Sequence, residues 1–154
     1  MLPRTELRTE IEIEAAPERV YSVLTDFARY HEWNPFITSI SGTLRLGERL
    51  HVEMSLPEGR SFRVRPTVLR LAPNQELAWQ GRLFLPGLFD GEHFFRLVAR
   101  APNITQLIHG ENFRGLLLGM LNSTLTLTAR GFVYMNQALK EQAERKSSRG
   151  ARAP

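Results

Sequence analysis

The chain has 154 residues, 42% hydrophobic and 23% charged, a balance that fits one globular domain able to bury a core of its own. It has no cysteine, which excludes disulfide frameworks and thiolate metal sites and fits the reducing cytoplasm as the expected compartment. The net charge of +4 does not mark a nucleic-acid binder, because Arg145, Lys146, Arg149 and Arg152 all follow the last acid, Glu144, leaving 16 basic residues (20 less these 4) against 16 acidic ones in positions 1–144.

The opening stretch MLPRTELRTEIEIE lacks the apolar centre of a secretory signal, and no apolar run approaches the roughly 18 residues of a membrane span. Residues 6–14 alternate, with Leu7, Thr9, Ile11 and Ile13 on one face, as in a half-buried antiparallel strand. Pro17 then opens a helix whose apolar stripe is Val20, Val23, Leu24 and Phe27. Thr25 or Asp26 is placed to cap a second short helix, which must stop before Asn34-Pro35.

Six strand-like segments follow, at 37–44, 48–56, 61–71, 76–83, 92–99 and 104–113. They are separated by turn sequences such as Pro57-Glu58-Gly59, Ala72-Pro73-Asn74 and Ala101-Pro102-Asn103. Short strands at this spacing make antiparallel hairpins. In residues 115–146, Leu117, Leu121, Leu125, Thr128, Phe132, Met135 and Leu139 recur at helical spacing, whereas Thr124-Leu125-Thr126-Leu127-Thr128 alternates like a strand. The helical spacing persists on both sides of the threonines and predicts one long helix, despite Gly119 and Gly131. The expected fold class is α+β: two short helices after the first strand, and a seven-stranded antiparallel sheet wrapped around the C-terminal helix. The domain is expected to span 4–146, with 147–154 a basic disordered tail.

Four stretches, IEIEAAPERVYSVLTDFARYHEWNPFI, PGLFDGEHFFRL, QLIHGENFRGLL and RGFVYMNQALKEQAE, resemble the START-like (SRPBCC) superfamily, in particular its polyketide cyclase/dehydrase group. His31 departs from the proline that relatives often carry in that turn. The resemblance, which extends to the birch pollen allergens, implies a helix-grip fold. It also implies a cavity for a small hydrophobic molecule such as a lipid, polyketide or isoprenoid. Members include carriers, sensors, cyclases and hydrolases, so the fold does not choose among them.

Strand alternation sorts the candidate site residues. Phe62, Val64 and Pro66, then Leu77, Trp79, Gly81 and Leu83, then His93, Phe95 and Leu97, then Leu107, His109, Glu111 and Phe113 are each assigned to the inner face. Phe94 and Ile108 fall on the outer face, at some apolar cost. If the 101–103 turn pairs Arg100 with Ile104, His93 lies opposite Glu111 and Phe95 opposite His109. A His–Glu pair in an apolar pocket serves as a general base, anchors a ligand hydroxyl, or satisfies two buried polar groups structurally. The expected ligand-binding set is Trp33, Phe62, Val64, Trp79, His93, Phe95, His109, Glu111, Phe113, Met120, Thr124 and Phe132. Only His93, His109 and Glu111 come forward as catalytic candidates, for a cyclase, dehydratase or hydrolase. They lack the short ligand spacing of a metal site, and no nucleophile elbow, Gly-x-Gly-x-x-Gly or phosphate loop is present, so no metal or cofactor is expected. The apolar tip Phe84-Leu85-Pro86-Gly87-Leu88-Phe89 suits a lid, a transient membrane contact or a homodimer contact in an otherwise monomeric chain.

Overall fold

The structure, a computed structural model, describes residues 1–83 and 85–145. The expected basic tail at 147–154 lies outside the described residues, as does Phe84.

The chain runs β1 (Arg4–Ile13), α1 (Pro17–Thr25), α2 (Tyr30–Trp33), β2 (Ile37–Ser41), β3 (His51–Ser55), β4 (Ser61–Val64), β5 (Thr67–Ala72), β6 (Glu76–Leu83), β7 (Phe89–Ala101), β8 (Ile104–Arg114) and α3 (Asn122–Glu144). All pairings are antiparallel, in a five-stranded sheet ordered β1-β8-β7-β6-β5 and a three-stranded sheet ordered β2-β3-β4. Among the described residues there are eight strands where seven were expected, because the 61–71 segment breaks at Arg65-Pro66. Proline has no N–H to give a ladder, and the chain leaves one sheet there and joins the other. Among the described residues the two sheets meet at the Arg49–Thr67 bridge, flanked by Gly47 N–H to Val68 O (2.9 Å), Leu50 N–H to Pro66 O (2.8 Å) and Val68 N–H to Glu48 O (2.9 Å).

The threonine run is helical. Thr126 and Thr128 each donate their hydroxyl to the carbonyl four residues back, at 3.1 and 2.7 Å, so their tendency to compete with the backbone is spent within the helix. At 1.5 Å per residue α3 is about 35 Å long. It begins later than expected. The amides of Gly115, Leu116 and Leu117 donate to Pro3, Gly87 and Leu88 rather than back along a helix, and 118–120 is a single 3-10 turn. Gly131, costly by propensity, is explained by contact: a Cβ there would lie 2.4 Å from the Phe36 ring. Phe36 packs edge-to-face on Phe132 just beyond it.

Neither expected cap is used. Thr25 donates to Tyr21 O, and Asp26 makes no side-chain capping bond. Asn34 ends α2 instead, its Oδ1 accepting from the amides of Phe36 and Ile37 at 2.9 Å each. Phe94 and Ile108 do take the outer face, yet Phe94 is 1% exposed. They cluster with Ala78, and the Arg96 guanidinium lies 4.3 Å from the Phe94 ring centre. Within the 84–89 tip, Leu85 is 71% exposed, whereas Phe89 is buried in β7 and stacked on Phe113. No helix among the described residues is long and apolar enough to cross a membrane.

Candidate functional site

Alternation in β4, β6, β7 and β8 turns Phe62, Val64, Trp79, His93, Glu111 and Phe113 toward a cavity that α3 closes with Thr124 and Thr128. Phe36, Met54, Leu56, Phe89 and Gly91 complete much of the wall. The cavity measures about 60 Å³. Pockets for drug-sized ligands run to roughly 300–1,000 Å³, so this space is small beside them.

The polar features of the wall centre on one cross-strand pair. His93 and Glu111 are register partners on β7 and β8, and Phe95 pairs with His109. Glu111 Oε2 lies 3.4 Å from His93 Nδ1, and His93 Nε2 lies 2.8 Å from His109 Nε2. Behind them, His109 Nδ1 lies 2.7 Å from Asn136 Oδ1 on α3, and Asn136 Nδ2 donates to Thr9 Oγ1 on β1 at 2.7 Å. A five-residue polar chain thus runs from the cavity through the core to the first strand. Aromatic rings enclose it: Trp79 stacks on His93, and His109 lies stacked between Phe95 and Phe132.

Burial governs the charge of this chain. It pushes the Glu111 carboxyl up to about 8 and the His93 imidazole down to about 3. His109 is driven well below its ordinary value, first by burial and then by the neighbouring His93. At neutral pH Glu111 is protonated and both imidazoles are neutral, the state that costs least in an apolar interior. Gly91 makes room for the carboxyl, since a Cβ there would stand 2.3 Å from Glu111 Oε1. Arg82, the other titratable group on the wall, is half exposed, with Nε 3.6 Å from the Asp90 carboxylate.

Seven of the twelve expected ligand-binding residues line the cavity: Phe62, Val64, Trp79, His93, Glu111, Phe113 and Thr124. Phe95, His109 and Phe132 lie fully buried behind its wall. Trp33 is misplaced by the expectation; it packs on Tyr30 and borders a surface groove with Arg19 and Gln142. Met120 is also misplaced, 79% exposed because the chain there is a 3-10 turn rather than helix. Asn136 was missed. Its only sequence signal was a polar residue between Met135 and Leu139 on the packed face of a helix. Among the described residues, no cluster of three or more His, Cys, Asp or Glu could hold a metal ion.

A family model described as polyketide cyclase / dehydrase and lipid transport matches residues 4–144. No curated protein matches the chain. Among solved structures, it is similar to a START superfamily protein from Mycobacterium smegmatis, with 21% identity and a TM-score of 0.72 over 91% of this chain and 97% of that one. The Zhui aromatase/cyclase from Streptomyces sp. R1128 aligns at 14% identity and a TM-score of 0.73, covering 95% and 98%. Norcoclaurine synthase from Thalictrum flavum, in complex with dopamine and hydroxybenzaldehyde, aligns at 12% identity and a TM-score of 0.72, covering 95% and 90%. At such identities the likeness concerns the fold.

Proposed function

Because the chain belongs to the polyketide cyclase / dehydrase and lipid transport family, we propose that it holds a small, largely apolar molecule between α3 and the two sheets, as a carrier, sensor or store. The observation that carries this reading is Glu111, the one carboxyl on an otherwise mainly apolar wall, kept neutral by burial and backed by His93. A largely buried carboxyl is costly unless its hydrogen-bonding capacity is used, and a ligand's polar group would use the oxygen that His93 does not. In this reading the exposed Leu85 tip makes transient membrane contact during loading, and the chain works in the cytoplasm as a monomer or homodimer. The test is native mass spectrometry of the protein after exposure to lipid extracts, with Trp79 fluorescence as a second readout. Retained small molecules that quench Trp79 support the reading. An unliganded mass and unchanged fluorescence across all extracts refute it.

A second reading, an enzyme of the cyclase, dehydratase or hydrolase type, draws on one specific feature. A carboxylic acid held protonated to about 8 beside a neutral imidazole is equipped as a general acid near neutral pH. In that case Glu111→Gln lowers turnover about a hundredfold while substrate still binds.

A further inference from the structure

The polar chain has a direction, and its far end sets it. Thr9 Oγ1 lies 2.7 Å from the His109 carbonyl oxygen, a separation that needs a proton between the two, and only the threonine can supply one. With its single proton spent there, Thr9 meets Asn136 as an acceptor, so the amide NH2 of Asn136 faces Thr9 and its oxygen faces His109. His109 then donates from Nδ1 and accepts at Nε2. His93 donates from Nε2 and is left with a bare Nδ1, and that nitrogen accepts a hydrogen bond from the Glu111 carboxyl O–H. The other carboxyl oxygen, Oε1, sits over Gly91, and among the described residues no donor bonds to it.

We propose that this arrangement makes the site selective for ligands whose polar group is a hydrogen-bond donor, an alcohol or phenol, over ketones and esters of the same shape, with Asn136 and Thr9 as the positioning residues. The proposal rests on the reading of the cavity as a ligand site. A donor hydroxyl completes the chain at Glu111 Oε1. A carbonyl ligand meets an acceptor at Oε1, and at this carboxyl it gains a donor only by taking the Glu111 proton from His93, which would leave a buried imidazole nitrogen unpaired. The Thr124 hydroxyl is the other donor on the α3 side of the wall. His93 from the adjoining strand and Gly91 lie against the carboxyl, and Arg82, Phe113, Thr124 and Thr128 share the cavity wall with it. Thr128 spends its proton on Thr124 O. The Arg82 guanidinium, a donor, belongs to the Asp90 side of the mouth.

The experiment uses 1-tetralol, 1-tetralone and tetralin, which share one carbon skeleton and carry a donor, an acceptor or neither. Their binding is measured calorimetrically at pH 6.5 to the full chain and to Glu111→Gln and Glu111→Leu. The expected result is tetralol tighter than tetralone by about tenfold or more. Glu111→Gln should keep that preference, because its amide nitrogen donates to His93 while its oxygen faces the cavity. Glu111→Leu should lose it. Tetralone binding as well as tetralol, or a preference that survives Glu111→Leu, overturns the proposal while the cavity reading stands. If all three bind equally, apolar packing alone selects and the proposal falls. If none binds at millimolar concentration, the cavity reading falls and takes the proposal with it.

Discussion

Stability should pass through a maximum near pH 6.5 and decline toward pH 8, and one substitution should remove the decline alone. The folded value of Glu111, about 8, lies above its unfolded value of 4.5. Between those limits the folded state keeps a proton that the unfolded state releases, so stability falls as pH rises. His93 works in the opposite sense. Its folded value of about 3 lies below 6.5, so across that window the unfolded state binds the extra proton and stability rises with pH. His109, lowered further, adds to the rise. From about 4.5 to 6.5 the two histidines outweigh the carboxyl, and from 6.5 to 8 the carboxyl acts alone. Over those 1.5 units, at 1.36 kcal/mol per unit, the loss is about 2 kcal/mol. Urea denaturation at pH 5.5, 6.5 and 8.5 measures it. Glu111→Gln, which cannot ionise, should be equally stable at pH 6.5 and 8.5 and keep the acid limb. Wild-type protein as stable at pH 8.5 as at 6.5 would refute a neutral carboxyl, and an unchanged decline in Glu111→Gln would assign it to another group.

Gly131→Ala should lower the melting temperature, by the equivalent of about 1–3 kcal/mol. The gain of about 1 kcal/mol in helix propensity is smaller than the cost of pushing the Phe36 ring from 2.4 Å away. Phe89→Ser should cost at least about 3 kcal/mol by thermal melt, because its ring is buried on Phe113, while Leu85→Ser should stay within about 0.5 kcal/mol.

The parts of the fold that were legible in the sequence depended on local signals. Strand β6 was bounded by turn residues on both sides and appears at its expected limits, Glu76–Leu83. The facing of His93 and Glu111 followed from alternation and one hairpin. The hairpin itself pairs Ala101, not Arg100, with Ile104. A bulge between Ala99 and Ala101 absorbs the difference, so the register beyond it is unchanged. What could not be read depended on contacts between distant elements. The start of α3 is set by amides that bond to Pro3, Gly87 and Leu88, none of them neighbours in sequence. Asn136 acquires its role only when α3 is laid across β8 and β1, because its partners His109 and Thr9 lie 27 and 127 residues away. Met120 and Trp33 were misjudged because an apolar or aromatic residue says that it wants cover, not which surface will provide it.

The break at Pro66 bears on kinetics and affinity as much as on strand count. The two sheets are joined around the Arg49–Thr67 bridge by a short run of backbone bonds: Gly47 N–H to Val68 O, Val68 N–H to Glu48 O and Leu50 N–H to Pro66 O. The three-stranded sheet can therefore move against the five-stranded one by giving up those few bonds and no long ladder. A ligand that needs more room than the resting cavity offers captures only the fraction of molecules in which the sheets have moved apart. Its apparent dissociation constant is the intrinsic one divided by that fraction. If one molecule in a hundred is open, about two orders of magnitude of intrinsic affinity go to holding the sheets apart. Weak apparent binding would then reflect the resting conformation rather than a poor fit, and Pro66, which lines the cavity as well as ending β4, ties the sheet junction to the ligand's own wall.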